Sequence, residues 1–178
     1  MSRAEREKWN EKYRGADRPP RTIGPPSPLI EGILPSRPGA WALDIGAGLL
    51  RHSRPLAARG FRVLALDVAV EGFRRAGPPG PGIHRVIADL DEMRLPEAGF
   101  ELILAIHCLN REKAPDIARA LRSGGILLLE ARRDERPGGE PPSPFRLRPG
   151  EVQDMYSGLE VLRAEEEPEL VRYSLRRP

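Results

Sequence analysis

Apolar and polar positions alternate in blocks along this chain, and the blocks change period. Arg3–Arg14 carries Trp9 and Tyr13 four residues apart, which predicts a helix with one apolar side. Residues 16–28 hold five prolines and read as a covering loop rather than an element. Leu29–Leu34 is a short apolar helix, closed by Pro35. A regular series follows: strand Trp41–Ile45, helix Leu50–Arg59, strand Arg62–Leu66, helix Val68–Arg75, strand Ile83–Ala88 and strand Glu101–Ile106. Ala114, Ile117, Ala118 and Leu121 form a helical stripe running to Ser123-Gly124-Gly125. Ile126–Ala131 has the continuous apolar character of a buried parallel strand.

The end of the chain has a different pattern. Arg132–Pro144 is a polar, Pro/Gly-rich loop long enough to be functional. Val152, Met155, Tyr156 and Leu159 repeat the helical stripe, and Leu159–Arg163 with Leu170–Leu175 form a closing strand pair. Seven strands alternating with helices, with an antiparallel end, predict a doubly wound, mostly parallel α/β sheet. At 178 residues the chain has the length of one domain, with residues 1–28 as an N-terminal helix and Pro-rich covering loop.

Composition narrows the chemistry. Uncharged apolar runs such as Ile126–Leu129 are far short of a bilayer span, and the N-terminus lacks the apolar stretch of a signal peptide. The expectation is a cytoplasmic protein without a membrane partner. One cysteine, Cys108, excludes an internal disulfide and a multi-cysteine metal site. His52, His84 and His107 share no helical metal-ligand spacing, so no metal is expected. Arginine supplies 26 of the 29 basic residues, with two asparagines and one glutamine in the whole chain. That bias fits a thermophile and a GC-rich genome alike.

Residues 1–21 carry seven basic and four acidic side chains, a balance of +3 that equals the net charge of the whole chain. The interleaved carboxylates point to a solvated helix face rather than a nucleic-acid arm. Aromatics at 5% leave few bases to stack on, which ranks an RNA-modifying role last.

The most informative segment is Ala42-Leu43-Asp44-Ile45-Gly46-Ala47-Gly48-Leu49-Leu50-Arg51-His52-Ser53. An apolar strand ends in an acid, a Gly-x-Gly turn follows, and a helix begins. The glycines permit a tight turn and close ligand approach, and the free amides favour an anionic group. Asp67 ends the second strand, 21 residues after Gly46, where a carboxylate accepts from both hydroxyls of a ribose. Asp89 ends the third, where a carboxylate accepts from an adenine amino group. Three strand-end acids beside one glycine turn suit a ligand with ribose, adenine and a positive charge. A dinucleotide fits less well: Arg51 stands where the third small residue of its fingerprint belongs, and Asp44 adds negative charge near a pyrophosphate.

LDIGAG followed by RHS, LALD, IADL and FELILA resemble the class I S-adenosylmethionine-dependent methyltransferases, which have a Rossmann-like fold. The opening EKWNEKYRG and the stretch PFRLRPGEVQDMYSGLEVLRAEEE are similar to the tellurite-resistance-type methyltransferases. The resemblance implies S-adenosylmethionine as cofactor and in-line methyl transfer to a small-molecule acceptor. It implies that Asp44 holds the methionine amino end, that Gly46, Ala47 and Gly48 line the loop, and that His52 and Ser53 lie beside the methionine carboxylate. Asp67 and Val68 then take the ribose and adenine edge, and Asp89 and Leu90 the adenine amino group and face. Ile106 and His107 would face the methylthio centre, with His107 as pocket wall or general base and Cys108 as a small buried residue.

The sequence departs from the family in places. Leu50 stands where a third glycine is usual and Ala47 where a cysteine or similar small residue is usual. The expectation is that Leu50 demands a non-glycine backbone and adds bulk beside the methionine moiety, which motivates a rival reading as a catalytically degenerate cofactor binder. The His/Arg-bearing segment of the tellurite-type enzymes has no counterpart near the C-terminus, where Glu165–Glu169 joins the last strands. Residues 14–28 and 132–147 would choose the acceptor; Arg14, Arg18, Arg21, Arg132 and Arg133 there are read as solvated charge. Neither the acceptor nor the oligomeric state is legible.

Overall fold

Helix α1 spans Arg3–Arg14, as the Trp9/Tyr13 spacing predicts. It belongs to a computed structural model that describes residues 3–15, 24–33, 37–134, 143 and 145–178, with side chains from residue 5 onward. The expected covering loop therefore lies largely outside the described residues, as do Leu34 and most of the loop expected at 132–144. The chain divides into two compact units, residues 1–94 and 95–178, each described by itself.

In the first unit a 3-10 turn at Pro28–Ile30 replaces the expected short helix, its first turn capped by the Ser27 hydroxyl, which accepts from the amide of Leu29. Strands β1 (Trp41–Ile45), β2 (Arg62–Asp67) and β3 (Ile83–Ile87) pair in parallel in the order β3-β2-β1. Ala42, Leu43 and Ile45 are all buried, so β1 is covered on both faces, as a central parallel strand must be. Helices α2 (Ser53–Ala58) and α3 (Val70–Ala76) connect them. The helix after β1 starts three residues later than expected. Gly46, Gly48 and Leu50 all have positive φ, and a helix cannot propagate through left-handed residues.

In the second unit β4 (Phe100–Ile106) and β5 (Leu121–Arg133) run parallel, and β5 pairs antiparallel with β8 (Leu170–Arg176), which pairs antiparallel with β7 (Glu160–Glu166). Helix α4 (Ala114–Ala120) ends short of Ser123 because Leu121 turns extended and pairs with Phe100, giving a 13-residue strand where Ile126–Ala131 was expected. A two-residue strand, β6 (Arg146–Leu147), pairs parallel with Arg132 and Arg133, so part of the expected loop joins the sheet. Arg111 clamps that stretch, donating to the carbonyls of Ser143 and Arg146 and pairing with Glu151 of α5 (Glu151–Met155). The described strands number eight, the short β6 being one more than the seven expected. The fold class is the predicted one: doubly wound α/β, mostly parallel, with an antiparallel last strand. Among the described residues no helix is long and apolar enough to cross a membrane.

Candidate functional site

The first unit gathers its three acids at the carboxyl ends of its three parallel strands. That is the edge where ligands of open α/β sheets bind. All three, Asp44, Asp67 and Asp89, are buried.

Asp44, one residue before the end of β1, accepts from the Ser53 hydroxyl at 2.6 Å. Burial pushes its carboxyl up to about 7, and the charge of Asp67 adds to that; the Ser53 bond and Arg51 oppose. Ser53 opens α2, so this bond ties the start of that helix to β1. The Ser53 hydroxyl, expected beside a methionine carboxylate, is thus fully buried and turned to Asp44. His52 precedes it, also buried.

The turn between Asp44 and α2 is held from β2. The amides of Gly46 and Ala47 both donate to the Leu66 carbonyl, at 2.9 and 3.0 Å. The amide of Gly48 donates to Asp67 Oδ2 at 2.8 Å, and that of Ala69 to Asp67 Oδ1 at 2.7 Å. Burial raises the Asp67 carboxyl, and these amide bonds pull it back. Gly48 has φ +46. A Cβ there would collide with the Tyr13 hydroxyl and lie 3.8 Å from Asp67 Oδ2.

Leu50 corrects the sequence expectation. It adopts φ +61, the left-handed backbone a glycine would supply, and its side chain is fully buried in the core. The strain of about 1–2 kcal/mol is offset by burial of a whole leucine side chain.

Asp89 follows β3, and its Oδ1 accepts the amide of Asp91 at 3.0 Å. It therefore caps a turn, beside buried Leu90. Val68 is buried next to Asp67.

Helix α1 closes over this turn, a relationship that periodicity only half revealed. Asn10 Oδ1 accepts the Glu71 amide at 3.1 Å, supplying the cap that α3 lacks locally. Arg14 pairs with Glu71 at 3.3 Å, and Arg75 donates to the Tyr13 carbonyl. Gly72 lets the layers meet: a Cβ there would lie 3.2 Å from the Gly48 Cα, the Gly48 carbonyl oxygen and Tyr13 Cε2.

Ile106 and His107 belong to the second unit. Ile106 is the buried last residue of β4. His107 has φ +54, its amide donates to the Glu130 carbonyl at 2.7 Å, and its Nε2 lies 3.1 Å from Glu130 Oε1. Buried Glu130 also accepts from Arg172 Nε at 2.8 Å. Sequence reasoning missed both Glu130 and Arg172. The signal was present: one carboxylate inside the apolar run Ile126–Ala131. Cys108, expected as a small buried residue, is only half-buried.

Residues 43–129 match the methyltransferase-domain family. A malonyl-[acyl-carrier protein] O-methyltransferase from Enterobacter lignolyticus is 32% identical over 146 residues, 74% of this chain and 57% of that protein. The chain spans about half the length of the curated relatives it matches. An S-adenosylmethionine-dependent methyltransferase from Mesorhizobium loti superimposes with a TM-score of 0.68 at 23% identity, over 84% of this chain and 96% of that one. TehB from Haemophilus influenzae superimposes with a TM-score of 0.65 at 19% identity, over 79% of this chain and 58% of that one. The chain thus combines a match to a methyltransferase domain over residues 43–129 with a fold like that of solved S-adenosylmethionine-dependent methyltransferases.

Proposed function

We propose that the protein transfers the methyl group of S-adenosylmethionine to a small-molecule acceptor, with residues 1–178 acting as one methyltransferase domain. The observation that carries this reading is the first unit's acid–glycine–acid–acid edge. Buried Asp44, Asp67 and Asp89 match an ammonium, a ribose diol and an exocyclic amine, and the Gly46–Gly48 turn leaves room for close approach. When bound, the cofactor supplies an activated methyl group. The protein supplies orientation and a water-free contact distance of ~3–3.5 Å.

Asp44 would hold the ammonium, directly or through water. Gly46, Ala47 and Gly48 would line the methionine portion, with His52 and Ser53 acting from behind the turn. Asp67 and Val68 would take the ribose side, Asp89 and Leu90 the adenine, and Ile106 the methyl-bearing end. A carboxylate has about four lone-pair sites, so Asp67 keeps acceptor capacity beyond the backbone amides of Gly48, Val68 and Ala69, and the ribose need not displace the loop. The backbone of Leu50 supports a working site over a degenerate one, because it provides what the missing glycine would have provided. The tellurite-resistance type remains the nearest subfamily in this reading, supported by the EKWNEKYRG opening and the TehB-like fold.

The test is methyl transfer from radiolabelled S-adenosylmethionine across a panel of hydroxyl, amine, carboxyl and thiol acceptors, tellurite included. Label transfer to one class, lost in Asp67→Ala, is expected. Binding of the cofactor without transfer to any class would favour the binder reading.

A further inference from the structure

His107 combines two unusual properties: a left-handed backbone on a side chain with a Cβ, and an imidazole fastened to a buried carboxylate. Such backbone costs about 1–2 kcal/mol and persists only where the surroundings impose it. Here Glu130 imposes it twice, its carbonyl taking the His107 amide and its carboxylate facing Nε2 at 3.1 Å. Glu130 is itself held by Arg172 from β8, and Arg172 pairs on its other side with Glu167 and Glu165. The Arg172 guanidinium sits 2.8 Å from Glu130 Oε2 and offsets the burial of that carboxylate.

The carboxylate accepts, so Nε2 of the neutral ring carries the proton and Nδ1 carries the lone pair. Among the described residues Nδ1 meets no partner, and 45% of the side chain is exposed. His107 directly follows Ile106, at the carboxyl end of β4, the end of a parallel sheet where ligands sit. A half-exposed ring with a fixed tautomer and an outward lone pair is built to take a proton.

Resting on the methyl-transfer reading above, we infer that His107 is the general base of the reaction and Glu130 its positioning residue. The acceptor is then one whose nucleophilic atom bears a proton at neutral pH, a hydroxyl or amine, rather than a carboxylate. The acceptor's lone pair forms the bond to the methyl carbon as the carbon–sulfur bond breaks, leaving its electron pair on sulfur. The acceptor's proton passes to His107 Nδ1, and the Glu130 charge faces the resulting imidazolium.

Glycine suits φ +54, so His107→Gly keeps the backbone and opens space the size of an imidazole. The variant is expected to bind S-adenosylhomocysteine as wild type does, to lose at least about 100-fold in kcat, and to recover with added imidazole. Glu130→Gln keeps an acceptor for Nε2 and removes the charge that faces the imidazolium, so kcat falls while KM stays near the wild-type value. Turnover in His107→Gly within a few-fold of wild type, or failure of imidazole to restore it, overturns the assignment. Nitrogen-15 spectra of the histidines in the wild-type chain give an answer independent of turnover. A proton on Nε2 of His107 with a bare Nδ1 supports the base; a proton on Nδ1 refutes it. If the wild type methylates nothing, the methyl-transfer reading fails by itself and the tautomer still decides the orientation of His107.

Discussion

The amide of Gly48 donates to the Asp67 carboxylate at 2.8 Å, so the acid ending β2 also shapes the turn that follows β1. One side chain thereby joins the two halves of the proposed cofactor site. Asp67→Asn leaves one carbonyl oxygen to serve two amides. The variant is expected to lose about 1–3 kcal/mol in urea denaturation and at least about tenfold in S-adenosylhomocysteine affinity.

Leu50 yields an ordering of variants. Leu50→Ala keeps the left-handed strain and loses the burial; Leu50→Gly loses the burial and relieves the strain. Both are destabilised, Leu50→Ala by about 2–5 kcal/mol, and Leu50→Gly is the more stable of the two by about 1 kcal/mol. Cofactor affinity stays near wild type in Leu50→Gly. A large gain in affinity there would show that the leucine obstructs the site.

Much of this could be read in advance, and the failures have physical causes. The strand–helix alternation was legible because parallel strands covered on both faces are written as apolar runs. The three acids and the glycine turn were legible because strand ends are sharp in sequence. The backbone of Leu50 was not, since residue identity biases φ without fixing it and a buried side chain can outweigh the strain. Nor could periodicity reveal Tyr13 over Gly48, or Glu130 between His107 and Arg172, because those contacts join segments far apart in the chain.

Asp44 sets a pH dependence. Its folded carboxyl is raised to about 7 by burial, above the ordinary value of 3.8. The folded state therefore holds the proton more tightly than the unfolded chain. Its stabilising contribution is complete below about pH 4 and is lost as pH rises through about 7. Between pH 5 and 8, wild type should lose on the order of 3 kcal/mol relative to Asp44→Asn in parallel denaturation series. An ammonium-bearing ligand favours the ionised carboxylate, so its affinity should rise over the same interval in wild type and stay flat in the variant.

Gly72 is the contact point between α3 and the glycine turn. The Cβ of Gly72→Ala would press on Gly48 backbone atoms at 3.2 Å, where little can yield. The expected cost is about 1–3 kcal/mol. A change in the emission of Trp9, whose ring centroid lies 6.3 Å from that of Tyr13, should accompany it as α1 shifts.

The central claim is that the acid–glycine edge of the first unit holds S-adenosylmethionine, and calorimetric titration tests it most directly. Wild type is titrated with S-adenosylhomocysteine, S-adenosylmethionine and NAD, and Asp67→Ala with the first two. The account predicts one-to-one binding of both adenosyl ligands to wild type, no heat with NAD, and loss of binding in the variant. Equal affinity in wild type and Asp67→Ala, or binding of NAD in preference to both adenosyl ligands, would contradict it.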